Sequence, residues 1–255
     1  MPLAKTYAIE DPDFPAISVV IPVLNERRTL PRVIAEAKRL SRNTEIIVIA
    51  NGCRDGSGKV AQRLGAKVIS YPGRLGHDVG RAIGASEASG DIMIFIDADF
   101  VVRAGDLAKF ARAVASGVDV ALNHYNGPVR RRSVHSVVLA KHVLNEILGR
   151  PDLQGCSLTT IPHALSKKAV TAVEPRNLMV PPKAHAIACL KGLTIKPVHF
   201  IPVGRLNRTK RPAKRDGQIR DLIFGDHLEA IQTYLECSGE RGGRADCLRQ
   251  RSKVR

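Results

Sequence analysis

Between residues 17 and 122, short β-branched runs alternate with segments of helical apolar spacing, and that alternation admits few folds. Ile17-Ser-Val-Val-Ile21, closed by Pro22, reads as a buried strand. Leu30, Val33, Ile34, Ala37 and Leu40 then recur at helical spacing, with Pro31 in the first turn, where its missing N–H costs nothing. The same logic predicts strands at Glu45–Ala50, Ala66–Ser70, Ile92–Ile96 and Val118–Leu122. Helices are predicted at Ser57–Leu64, Asp78–Ala88 and Ala104–Ala115, the last with Leu107, Phe110, Ala111 and Val114 on one face. The expected architecture is α/β: a mainly parallel central sheet flanked by helices, joined by right-handed crossovers.

The second half is less regular. A helix is predicted at Val134–Leu148, loop plus strand at Gly155–Pro162, a short helix at Ser166–Val173 and a strand at Leu193–His199. Residues 204–215 hold six Lys/Arg, no acid and no apolar period, and read as a loop or arm. An amphipathic helix is predicted at Gln218–Leu235, with Gly225-Asp226-His227 as a local kink or cap inside it. The chain thus divides into an extension (1–16), a first half (17–125), a second half (126–203), a basic loop with a C-terminal helix (204–237), and a basic tail (238–255) expected to fray.

Composition narrows the function. With 255 residues, 44% hydrophobic and 25% charged, the chain can bury a full core in one domain. Lys and Arg exceed Asp and Glu by 40 to 24, and a net charge of +16 attracts nucleic acid, anionic membrane or phosphorylated substrates. Aromatics at 4%, with no Trp, argue against a site built on base stacking. Five cysteines, with no CxxC pair, signal neither a disulfide framework nor a zinc ribbon, so reduced thiols and a cytoplasmic location are expected. The first sixteen residues carry Glu10, Asp11 and Asp13 and no long apolar core, which is unlike a secretory leader. No run of 18 apolar residues predicts a spanning helix; peripheral membrane contact stays open.

In parallel α/β sheets, ligands bind beyond the carboxyl ends of the strands. Three post-strand segments carry chemistry: Pro22-Val-Leu-Asn25-Glu26, Asn51-Gly-Cys-Arg-Asp55-Gly-Ser57, and Asp97-Ala98-Asp99-Phe100. Residues i and i+2 project to one side, so Asp97 and Asp99 can share a hard cation such as Mg2+ or Mn2+. Taken alone, Asp-x-Asp at a strand end is also common turn chemistry. The second segment offers carboxylate and N–H groups before a helix, or an ordinary Asx turn capped at Asp55 or Ser57.

In combination, Pro-x-x-Asn-Glu, Asn-Gly-x-x-Asp-Gly-Ser, Gly76-x-x-x-Gly80-x-Ala82-x-Gly84, then Gly90-Asp91 leading into Asp97-Ala-Asp99, resembles the family 2 glycosyltransferases over about residues 17–125. The resemblance implies a single glycosyltransferase A-type domain with a Rossmann-like nucleotide-binding half. It also implies a nucleotide-diphosphate sugar donor of UDP or GDP type and a divalent cation. Carried over, Pro22, Asn25 and Glu26 line the nucleotide pocket, and Asn51 and Asp55 sit near base and ribose. Gly76 and Arg81 belong to the Gly-rich start of a helix over the donor. Asp97, with Ala98, approaches ribose or metal, and Asp99 ligates the metal.

Two departures matter. Where family members often carry an acidic base-reader, this chain has Asn51, which leaves the nucleotide base undecided. Inverting members usually supply a catalytic acid in the second half, and the corresponding stretch, Met179 to Gly192, contains none. A sugar hydroxyl needs a positioned base, whereas a phosphate, with a second pKa of ~6, is already anionic. Three routes follow. The acceptor is a phosphate, as in the polyprenyl-phosphate sugar synthases the chain also resembles. Or transfer is retaining, as in the glucosyl-phosphoglycerate synthases, whose resemblance implies an acidic acceptor and a histidine metal ligand. His185 is then the best-placed candidate, with His163 and His199 as others. Or Asp152 or Glu174 is the base.

The basic stretches suit an acidic acceptor: Arg130, Arg131, Arg205 and Arg208 are candidates for a phosphate-binding rim. The competing readings are a transferase-like scaffold without turnover and a basic polyanion binder. Nucleic acid is not an expected partner, because the acidic strand ends would repel its phosphates.

Overall fold

The structure is a computed structural model and describes residues 7–130, 132–206 and 213–253. The chain runs β1 (Ile17–Val23), α1 (Leu30–Lys38), β2 (Thr44–Asn51), α2 (Ser57–Arg63), β3 (Lys67–Tyr71), α3 (Val79–Ser86), β4 (Ile92–Phe95), α4 (Ala104–Ala115) and β5 (Val120–Asn123). It continues through α5 (Ser136–Ile147), β6 (His163–Ser166), α6 (Lys167–Val173), α7 (Pro181–Leu190), β7 (Ile195–His199), α8 (Val203–Leu206) and α9 (Ala213–Ser238). The strands form one sheet in the order β3-β2-β1-β4-β6-β5-β7. β6 runs antiparallel to β4 and β5, and every other pairing is parallel. The carboxyl ends of β1 to β5 and β7 therefore share one edge of the sheet.

β1 is buried on both faces, as its β-branched run requires of a central strand. Pro22 does not close it: the strand continues to Val23, with Pro22 opposite Ile49 of β2. The ladder from β1 to β4 ends at Val20, so on that side Pro22 interrupts no pairing. Val19, Val20, Ile21, Ile47, Ile49, Ile94, Phe95 and Phe110 are fully buried. At about 1.5–3 kcal/mol for each large apolar side chain, that seam is the main stabilising element. α3 lies close against β1 because Gly80 and Gly84 face it. A Cβ at Gly80 would stand 3.0 Å from the Pro22 Cβ, and one at Gly84 would run into Val20. The Gly-rich stretch is thus a packing device that sets the depth of α3, and with it Arg81.

The second half departs from expectation in four places. The strand expected within Gly155–Pro162 is His163–Ser166, after the cis Ile161–Pro162 bond. α7, preceded by no amphipathic signal, buries Ala184, His185, Ala186 and Ala188. The arm expected over 204–215 instead includes α8 and the first residues of α9, while 207–212 lie outside the described residues. Gly225-Asp226-His227 neither kinks nor caps: it lies inside α9, whose Ala230 packs with Leu144, Leu148 and Ala186 in a second, smaller core. No helix among the described residues is long and apolar enough to cross a membrane.

Candidate functional site

The first two post-strand segments are tied to one another at the carboxyl edge. After β1 the chain turns at Asn25, which takes a φ of 59°, a conformation asparagine tolerates better than most residues. Asn25 Oδ1 accepts from Arg54 N at 2.8 Å, and Glu26 N donates to Ser57 Oγ at 3.0 Å. Asp55 accepts from Arg27 N at 2.9 Å and from Ser57 N and Oγ at 2.9 and 2.6 Å. Burial works to raise the Asp55 carboxyl, but the Ser57 and Arg27 donors outweigh it and hold the group below the usual range. Asn51, nearly buried, donates to Gly76 O at 3.0 Å and accepts from Leu75 N, so its amide braces the loop ahead of α3.

Glu26 shows that the acids converge. Its carboxyl is raised, first by burial and then by the charges of Asp99 and Asp55. Asp97 and Asp99 flank the buried Ala98 directly after β4. Arg81, 6% exposed, pairs with Asp78 at 2.8 Å and reaches Asp97 at 3.5 Å. A buried guanidinium thus fixes the orientation of one of the two carboxylates. Oxygen donors of this kind suit a hard divalent cation, although no group of three His, Cys, Asp or Glu side chains among the described residues forms a ready cation site.

The histidines do not supply the missing donor. His185 is fully buried on α7, its Nε2 2.9 Å from Asn145 Oδ1. Burial, then Arg150, His227 and Lys141, push the ring down to about 3. Its surroundings are the α5–α7–α9 core, and it is not gathered with Asp97 and Asp99. His163 is buried on β6 against Phe95, with Nδ1 3.2 Å from Thr160 O. His199 lies 2.9 Å from Asp106 Oδ1 and 3.1 Å from Lys109 Nζ, on α4. Asp152 and Glu174 are exposed and paired with Arg150 and Arg176 at 2.8 and 2.7 Å. Arg130 and Arg205 are exposed in the segments that follow β5 and β7; Arg131 and Arg208 lie outside the described residues.

Sequence reasoning missed Asp226. Half-buried on α9, it faces Asp78, the partner of Arg81. Burial first, then Asp78 and Glu229, push its carboxyl from 3.8 to about 6. The folded protein holds this proton more tightly than the unfolded chain, so stability falls as pH rises from 3.8 to about 6 and stays reduced above. Asp226→Asn is therefore expected to raise Tm by a few degrees at pH 7.5 and to leave it unchanged at pH 4, as read by thermal unfolding.

Comparison with known proteins decides the family. The profile of Glycosyl transferase family 2 matches residues 18–170, more than half of the chain. The chain belongs to glycosyl transferase family 2. An uncharacterized glycosyltransferase of Mycobacterium tuberculosis is 35% identical over 105 residues, 41% of this chain and 46% of that protein. The undecaprenyl-phosphate 4-deoxy-4-formamido-L-arabinose transferase of Aeromonas hydrophila is 34% identical over 118 residues, 42% of this chain and 36% of that one. The chain thus spans less than half the length of these curated relatives. Among solved structures, glucosyl-3-phosphoglycerate synthase of Mycobacterium tuberculosis, in complex with Mn2+, UDP and phosphoglyceric acid, superposes with a TM-score of 0.64 at 22% identity, over 85% of this chain and 78% of that one. At that identity the likeness carries the fold: the single α/β sheet domain is of the glycosyltransferase A type.

Proposed function

We propose that this family 2 chain transfers a sugar from a nucleotide-diphosphate donor, of UDP or GDP type, to an acidic or phosphorylated acceptor. The observation that carries the reading is the convergence of Glu26, Asp55 and Asp99, from three different post-strand segments, on one edge of the sheet. Carboxylates near enough to raise Glu26, though not gathered into a ready three-ligand site, suit an edge that receives a cation together with a diphosphate. Asp99, with Asp97, would hold Mn2+ or Mg2+, which when bound offsets charge on the departing diphosphate. The solved synthase binds UDP with Mn2+, which supports the same pair here.

The remaining work falls to the chain. Pro22 and Asn25 shape the floor of the donor pocket. Asp55 locks the first two segments together. Asn51 holds the loop ending at Gly76 over the pocket. Arg81 orients Asp97. On the other side, Arg130 and Arg205 offer fork-shaped donors to an anionic acceptor beside the exposed apolar Val129, Phe200 and Leu206. That mixture suits a polyprenyl phosphate at an anionic membrane surface as well as a small phosphorylated acid, and a phosphate acceptor needs no base. The undecaprenyl-phosphate transferase and the phosphoglycerate complex support these two acceptor chemistries in turn.

The test is thermal unfolding with UDP, GDP and other nucleoside diphosphates, each with and without Mn2+. A ligand at 100 times its Kd stabilises by about 2.7 kcal/mol. A shift with one nucleotide that needs the metal is expected, and UDP is the first choice. No shift with any nucleotide would overturn the reading and favour the scaffold.

A further inference from the structure

Lys141, on α5, is 4% exposed, and among the described residues no carboxylate pairs with it. Its Nζ donates to Thr160 Oγ1 at 2.6 Å and to Tyr125 O at 3.5 Å, and lies 6.0 Å from the centre of the Tyr125 ring. Tyr125 belongs to the loop after β5, and its ring packs on Phe200, beyond β7, at 6.1 Å. Thr160 belongs to the loop before β6. Its carbonyl meets His163 Nδ1 at 3.2 Å, and His163 stands opposite Phe95, two residues before Asp97. Because β6 runs against its neighbours, the loop before it reaches the same edge as the loops after β4 and β5. Asn145 holds the start of that loop at Cys156 O (3.0 Å) and Asn123 its end at Ile161 O (2.9 Å), while the buried hydroxyls of Ser157 and Thr159 between them have no partner, so Lys141 is the side chain that reaches the loop's middle at Thr160. A buried ammonium is a costly way to fill a core; a Met would fill it better if packing were the only need.

We infer that Lys141 is a positioning residue: it clamps loop 155–162 to the loop after β5 and so sets the acceptor floor beside Asp97 and Asp99. The inference rests on reading this edge as the transfer site. The clamp is also sensitive to pH. Burial pushes the ammonium down to about 8. Of the titratable groups facing it, the Cys156 thiol in loop 155–162 is pushed up to about 11. His185 on α7 is pushed down to about 3, and His227 on α9 is also lowered. Near pH 8, Lys141 is therefore the member of this group that changes charge. The folded protein releases the proton more readily than the unfolded chain, whose lysine titrates at 10.5. Stability rises with pH between about 8 and 10.5, while the clamp weakens. A merely structural lysine would not separate the two.

The test compares the full chain with Lys141→Met in three measurements. Hydrogen exchange is expected to quicken in residues 124–130 and 155–162 only, with Tm equal or higher. The Kd for UDP with Mn2+ is expected to stay within about twofold of wild type. With UDP-glucose as donor and phosphoglycerate as acceptor, the acceptor KM is expected to rise about tenfold, with kcat changed far less. Wild type should show the same KM rise on going from pH 7 to pH 9.5, and the variant should not. Unchanged exchange in both loops would overturn the inference, and so would a general loss of Tm and protection together. If neither protein binds UDP, the transfer reading fails, and the exchange data still judge the clamp. Should Lys141→Met not fold, the wild-type pH series of exchange and Tm decides: loosening of the two loops as Tm rises supports the clamp, and their moving together overturns it.

Discussion

Replacing Asp99 with Ala should lower sugar transfer about a thousandfold or more while the fold survives. The loss is expected because Asp99 is the carboxylate that would meet the cation at the diphosphate. The fold is expected to survive because the charge of Asp99 raises the Glu26 carboxyl, a repulsion that its removal relieves. The measurement is product formation over time beside a thermal melt. Transfer retained by Asp99→Ala in excess chelator would sink the metal-dependent reading; a variant that melts far below wild type would assign Asp99 a structural role instead.

Arg81→Met should cost both stability and activity, by separable routes. The Arg81–Asp78 pair is buried, with side chains 7% exposed on each side, and removing one partner strands the other charge. Breaking a buried pair costs about 3–5 kcal/mol, visible as a drop in denaturant midpoint. Activity should fall further, because Asp97, 36% exposed, loses the guanidinium that orients it. The double variant Arg81→Met/Asp78→Asn removes both charges of the buried pair and keeps a residue that tolerates the φ of 60° at position 78. It should recover most of the stability and none of the activity. Recovery of both would show that Arg81 serves the fold alone.

The first half was legible in sequence for a physical reason. β1, β2 and β4 are buried on both faces over most of their length, so their residues form nearly continuous apolar runs, and the polar residues that could carry chemistry lie in the few positions that follow each run. The second half hides its logic. α7 is apolar nearly all round, so it has no helical stripe to read. β6 is four residues, His163–Ser166, too short for a pattern, and its reversed direction leaves no trace in composition. His185 looked like a ligand by its position along the chain. Only packing reveals that its imidazole faces Asn145 inside a core. Asp226 and Lys141 were invisible for the converse reason: their roles come from what α9 and α5 are packed against, which spacing along one helix does not encode.

The reversed strand also has a consequence for how the protein is made. β1 to β4 find their sheet partners among themselves, so that portion can assemble as soon as it leaves the ribosome. β5 pairs only with β6 and β7, both synthesised later. Until residue 166 has emerged, the apolar Val120, Ala121 and Leu122 have no strand beside them. The nascent chain therefore passes through a stage with an uncovered sheet edge on β4 and an orphan strand in search of it, the interval in which aggregation competes most strongly with folding. β6 ends that interval by bridging the two, which makes its arrival the step on which the yield of folded protein turns.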